Sequence, residues 1–203
     1  MNDIKKDNTE EKILVAAQKV FIEKGMDGAR MQEIANEAGI NKALLHYYFR
    51  TKQKLFEAIF KMVFRNILPN LMEMVYSDLP IETKLERFIE GYIDMLWKNP
   101  FVPTFILKEM NRDPQFLATT IKGSGIRPDE IIAMFKREME AGNIRKMDPR
   151  DLLVNILSMS IFPIAAKPLL SIIFFDSNSA EYSTFISNRK KTVKEFILNS
   201  IKP

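Results

Sequence analysis

Apolar side chains recur at three- and four-residue spacing along most of this chain. The pattern holds in Ile13, Leu14, Ala17, Val20 and Phe21, and again in Leu85, Phe88, Ile89, Tyr92, Ile93 and Leu96. Tyr182, Phe185 and Ile186 repeat it, as do Val193, Phe196 and Ile197. That period places each set on one face of an α-helix. No segment alternates strictly between apolar and polar positions with hairpin signals at its ends, so strands are not expected. Clusters of glycine, proline and small polar residues interrupt the pattern at 25–28, 78–80, 99–100, 113–114, 123–125, 142–143, 148–149 and 176–179. These breaks predict about nine helices and an all-α fold. Neither a repeat of solenoid period nor a low-complexity tract is present.

The first fifty residues carry the most specific pattern. A helix is predicted over 9–24, capped by Thr9 or Asn8, with Glu10 and Glu11 at its positive end and Gly25 as a left-handed stop. A short helix over 31–38 and a turn at Gly39 and Ile40 lead to Asn41, which caps a third helix over 42–49. Ile34, Ala35 and Ala38 share one face of the second helix, and Leu44, Leu45, Tyr48 and Phe49 form an inward stripe on the third. Ala35 is small where helices cross closely, and Gly39 permits a sharp turn. This is the arrangement of a helix-turn-helix, whose last helix enters the major groove of DNA. The outward stripe is Lys42, Ala43, His46 and Tyr47, with Arg50 just beyond. Lys42 suits guanine O6 or N7, Ala43 allows close approach, and Tyr47 suits a thymine methyl or a phosphate. Arg50 and Lys52 suit phosphates. A plain core explains the inward stripe equally well, but not an outward stripe that is basic and aromatic.

Charge sharpens this reading. The chain has 203 residues and a net charge of +4. Between residues 40 and 54 stand Lys42, Arg50, Lys52 and Lys54 without a single carboxylate, a window that attracts phosphate, anionic lipid or an acidic partner. Hydrophobic residues make up 46% and charged residues 28%, a balance that excludes disorder as the main state. With no cysteine there is no disulfide, thiolate nucleophile or zinc–thiolate site, and the polar start lacks a signal peptide, so a cytoplasmic location is expected. His46, the one histidine, has no neighbouring carboxylates for a metal site and no partner nucleophile, which leaves a DNA-facing or a structural role. The seven glycines form no phosphate-cradling loop, and Glu138 and Glu140 stand beside Lys136 and Arg137 as a solvated face. No catalytic residue, metal or cofactor is therefore expected. Residues 152–175 carry one charge, Lys167, over a length that could span a bilayer, but Pro163 and Pro168 divide them. Two shorter buried helices, as core or subunit interface, are expected instead of a membrane span.

The run from Gly25 to Phe56 joins I-A-x-x-A-G, at Ile34 to Gly39, to Y-x-F-x-x-K-x-x-L, at Tyr47 to Leu55. It resembles the DNA-binding head of the TetR/AcrR transcriptional regulators, over residues 8–68. The resemblance implies that residues 41–49 read bases, with Asn41, Lys42, Ala43, His46, Tyr47, Tyr48, Arg50 and Lys52 on or near DNA. It also brings Arg30, Met31 and Gln32, at the start of the second helix, to the duplex. Arg30 stands where the family usually has threonine, and His46 where it usually has tyrosine. For residues 69–203 the resemblance implies a helical ligand-binding and dimerisation domain, with 152–162 and 181–201 pairing across a two-fold axis. The same stripes would equally suit an intramolecular core. Candidate pocket liners are Trp97, Phe101, Phe105, Met110, Phe116, Met134, Phe135, Met159 and Phe162, joined by Met95 and Met139. Glu109, Asn111 and Arg112 are candidate polar anchors. Methionine and phenylalanine at helical spacing also suit an ordinary core. The implied protein is a homodimeric regulator of a near-palindromic double-stranded operator, a repressor released by an unknown small apolar or amphipathic effector. An activator or ligand-insensitive regulator with the same head is the alternative, and a small helical enzyme a remote one.

Overall fold

The computed structural model describes the backbone of residues 2–203 and the side chains from Thr9 onward, part of one helix excepted. Among the described residues there are eleven helices and no strand. They are α1 (Asn2–Gly28), α2 (Met31–Glu37), α3 (Lys42–Tyr48), α4 (Lys52–Tyr76), α5 (Ile81–Lys98), α6 (Phe101–Arg112), α7 (Pro114–Gly123), α8 (Pro128–Glu140), α9 (Pro149–Ala165), α10 (Lys167–Phe175) and α11 (Ser179–Ile201). The excess over nine arises where helices change without a glycine or proline cluster, as at Phe49 to Thr51. The chain divides into two compact units, Met1–Asn66 and Ile67–Pro203.

In the first unit α1 starts earlier than predicted. Thr9 stands inside the helix and does not cap it, and Asn8's side chain lies outside the described residues. Helical backbone continues past Lys24 through a kink at Gly25, whose φ of 67° favours glycine. The core gathers Ile13, Ala17 and Phe21 from α1, Ile34 and Ala35 from α2, Leu45 from α3, and Leu55, Phe56, Ile59 and Phe60 from α4. The Phe21 and Phe56 rings meet edge to face, centroids 4.8 Å apart. Leu44 does not belong to this core, being 37% exposed, and Tyr48 is only half-buried. Neighbouring residues on a helix are about 100° apart, so a seven-residue helix against few neighbours buries a narrow arc centred on Leu45 and Phe49.

In the second unit Ile81, Leu85, Ile89, Ile93 and Leu96 form the buried stripe of α5, against which α9 and α11 pack. Lys190 of α11 reaches Asp94 of α5 at 2.5 Å, and Lys194 pairs with Glu90. Pro163 lies inside α9 and cannot donate to the carbonyl of Met159 four residues back. Arg189 of α11 donates to that carbonyl at 3.4 Å, and the Tyr182 hydroxyl donates to the carbonyl of Pro163. Two α11 side chains thus satisfy acceptors that the end of α9 leaves over. Past that end the chain bends by 73° into α10. The division of 152–175 into two helices holds, but α10 contains no buried residue: Leu169, Ile172, Ile173 and Phe174 are exposed. Its packed side is Phe175, against Tyr182 and Phe185, so near-uniform apolar composition did not reveal which side is covered. Among the described residues no single helix is long and apolar enough to cross a membrane.

Candidate nucleic-acid interface

The turn between α2 and α3 follows from three backbone hydrogen bonds. Ala38 N–H donates to Ile34 at 3.0 Å, Gly39 to Asn36 at 3.1 Å and Ile40 to Ala35 at 3.0 Å. The last two form a Schellman stop with Gly39 in the left-handed position, φ 66°. Asn41 then opens α3, its side-chain oxygen accepting from the Leu44 N–H at 2.7 Å. Because Leu45 and Phe49 point inward, the opposite arc of α3 faces outward and carries Ala43 and Tyr47, with His46 on its flank and Lys42 exposed at the open first turn. Lys42, Ala43 and Arg50 are exposed, and Tyr47 is 71% exposed. The Tyr47 and Tyr48 rings stand nearly perpendicular, 5.5 Å apart. His46 is half-buried, its Nδ1 3.2 Å from the carbonyl oxygen of Arg50.

Three carboxylates of α2 and α4 in this unit are paired with lysines. Glu37 is held by Lys19 at 2.7 Å, Glu33 by Lys24 at 3.0 Å and Glu57 by Lys54 at 2.9 Å. The hydrogen bond from Lys24, reinforced by the Arg30 N–H, holds the Glu33 carboxyl below the usual carboxylate range. The outward face of α3 itself bears cations, aromatics and no acid, the electrostatic profile of a surface that meets phosphate.

The other predicted residues divide by what their side chains already do. Arg30 is exposed at the start of α2 and Met31 half-buried, while Gln32 donates to Asn36 at 2.9 Å. Lys52 is turned toward the protein: its ammonium donates to the carbonyls of Asp27 at 3.2 Å and Ala29 at 3.0 Å, where α1 ends. A lysine there complements the negative end of the helix. Replacing Lys52 with glutamine is therefore expected to cost the head about 1 kcal/mol. Thermal melting should show the loss, and an unchanged melt with a shallower salt dependence of DNA binding would instead make Lys52 a phosphate ligand. Sequence reading missed Leu44, whose exposed side chain borders the same face; its angular distance from Leu45 was the available signal.

In the second unit the candidate liners scatter. Phe101, Phe105, Met134, Phe135, Met95 and Met139 are buried, Trp97, Phe116 and Met159 half-buried, and Met110 and Phe162 more than half exposed. Met134 borders a cleft of about 340 Å³ whose rim includes Tyr76, Lys84 and Arg137. Trp97 lies under the Lys167 ammonium, 5.0 Å from the ring centre. The candidate anchors serve the fold: Arg112 grips the buried Glu109 carboxylate through Nε at 2.9 and 3.0 Å and Nη2 at 2.5 Å. Asn111 donates to the Leu107 carbonyl at 3.1 Å. Among the described residues no cluster of histidine and acidic side chains could hold a metal ion.

Known proteins match this picture. The family described as bacterial regulatory proteins, tetR family, matches residues 13–59, which span α1 to the first half of α4. The transcriptional activator FasR of Mycolicibacterium smegmatis is 26% identical over 95 residues, covering 47% of this chain and 43% of FasR, so that match spans less than half of the relative. The transcriptional repressor NicS of Pseudomonas putida is 23% identical over 181 residues, covering 89% of this chain and 82% of NicS. Among solved structures, a mutant of HlyIIR is 25% identical with a TM-score of 0.64 over 97% of both chains. The fatty acid degradation regulator FadR of Bacillus halodurans shares the fold, with a TM-score of 0.69 at 16% identity over 93% of this chain and 94% of that one. Residues 13–59 thus carry the DNA-binding head of the tetR family of bacterial regulatory proteins, and the whole chain shares the all-helical fold of solved TetR/AcrR regulators.

Proposed function

We propose that this protein is a homodimeric repressor that reads a near-palindromic operator through α3 and is released by a small apolar or amphipathic effector bound in the second unit. The observation that carries the DNA reading is the acid-free outward face of α3, with Lys42, Ala43, His46 and Tyr47 presented together and Arg50 beside them. In this reading residues 8–68 are the DNA-binding domain and 69–203 the effector and dimerisation domain. Arg30, Met31, Gln32, Tyr48 and Lys52 flank the duplex, and Asn41 sets the start of the reading helix. A dimer would place its heads in major grooves one helical turn apart, about 34–36 Å, or a multiple of it. Repression is favoured over activation because the likeness to the repressor NicS runs through both units, whereas that to the activator FasR covers 95 residues. An effector releases DNA only by binding better to the form that does not fit the operator. The protein would act in the cytoplasm with the chromosome, and no enzymatic step is assigned to it.

The dimer reading rests on surface chemistry. Val154, Phe162, Leu169, Ile172, Ile173, Phe174 and Phe196 are all more than half exposed in the single chain, from α9 through α11. A surface this apolar marks an interface more often than a solvated face.

The deciding experiment is selection of bound duplexes from a random pool at two salt concentrations, with Tyr47→Ala beside the native protein. One enriched near-palindrome, bound less tightly at high salt, is the expected result. Tyr47→Ala and Lys42→Ala should each weaken that duplex by about 1–3 kcal/mol if they touch base edges. An equal loss on every sequence would make the residue a phosphate contact, and no enrichment at all would overturn the reading.

A further inference from the structure

His46 lies on the flank of α3, about 100° round the helix from the buried Leu45 and next to the exposed Ala43 and Tyr47. Its direction along the helix falls between those of Lys42 and Ala43, since residues advance by about 100° each. Its ring is half-buried there, and Nδ1 folds back to within 3.2 Å of the Arg50 carbonyl oxygen just beyond α3. A carbonyl oxygen can only accept, so Nδ1 carries the hydrogen and donates. In the neutral imidazole the other nitrogen, Nε2, is then a bare acceptor. The remaining groups on this face have different abilities. Lys42 and Arg50 only donate, the Tyr47 hydroxyl both donates and accepts, and the Asn41 oxygen already receives the Leu44 N–H. His46 Nε2 is thus the group of this face that accepts and does not donate.

We infer that His46 is a specificity-determining residue whose fixed tautomer selects, at one position of each half-site, a base offering an amino hydrogen in the major groove. Adenine N6 and cytosine N4 are the two such donors, and guanine and thymine present acceptors at the corresponding places. The hydrogen bond to Arg50 removes the tautomer in which Nε2 would donate to guanine. This inference rests on α3 entering the major groove, and it adds which base chemistry one side chain demands there.

The test deletes single atoms groups from both sides of the contact, using the duplex that selection yields. Purine in place of adenine removes the N6 amino group, and 2-pyrimidinone in place of cytosine removes the N4 amino group, one position at a time. The expected result is one position per half-site where the deletion weakens native protein about tenfold and leaves His46→Ala unaffected. Which analogue gives the effect tells adenine from cytosine. His46→Gln, which can again accept, should recover most of the lost affinity, and unchanged melting of both variants excludes a folding defect. If every amino deletion affects native protein and His46→Ala alike, the inference is wrong. If Lys42→Ala and Tyr47→Ala also leave operator binding unchanged, or if selection enriches no duplex, the groove reading itself fails and this inference falls with it.

Discussion

Phe56→Ala is expected to unfold the first unit and abolish DNA binding while the helices of the second unit persist. Phe56 is 1% exposed, and its ring meets that of Phe21 edge to face, tying α4 to α1. Ile59 and Phe60, one turn along α4, are fully buried, so the cavity left by the missing ring lies within the core of the head. A buried phenylalanine replaced by alanine costs about 3–5 kcal/mol, from lost transfer energy and from the cavity itself. Small domains hold only about 5–15 kcal/mol in total, and a unit this short lies toward the lower end. Urea melts followed by circular dichroism should show the variant losing part of its helix signal at lower denaturant, with the remainder melting as in the native protein. A single transition at the native midpoint would mean that the site collapses around the cavity, or that the two units do not melt separately.

How far such features were legible depends on how local their causes are. The stop at Gly39 and the cap at Asn41 arise from contacts a few residues apart, so spacing and residue type revealed them. The start of α1 was not legible, because residues 2–8 show neither an apolar stripe nor a breaker, and the first strong capping signals lie further along at Asn8 and Thr9. The contact of Lys52 with the carbonyls of Asp27 and Ala29 was not legible, since they come from another helix end. The pairing of Arg112 with Glu109 one turn back is local, but the full burial of Glu109 was not legible because it depends on packing from other helices. For α10 the difficulty was composition: when nearly every residue is apolar, no period distinguishes the covered side from the open one.

Phe196→Lys is expected to convert the protein to a monomer and to lower operator affinity by at least about a hundredfold, since joining two binding modules adds about 10²–10⁴ in avidity. One line of α11 carries the half-buried Phe185 and Arg189 and the exposed Thr192, Phe196 and Asn199, and one of α9 carries the exposed Val154 and Ser158 and the half-buried Ile161 and Ala165. Both series alternate four- and three-residue steps, the spacing at which helices pack side by side in a bundle. The lysines of α11 lie off this line, and Lys190 and Lys194 are engaged by α5. Phe196 is 58% exposed and Val154 59%, so neither is committed to the core of the single chain. Arg189, on the same line, has a buried Nε without a hydrogen-bond partner inside the chain. Lysine at 196 would bury one unpaired charge per subunit, two in a symmetric contact, which a helical seam does not tolerate. Sedimentation equilibrium at micromolar concentration measures the first effect, and titration of a full operator against a single half-site measures the second. The variant should bind the half-site as the native head does, because α3 is unchanged. A variant that remains a dimer would place the interface elsewhere, and a monomer with full operator affinity would show that the two heads bind independently.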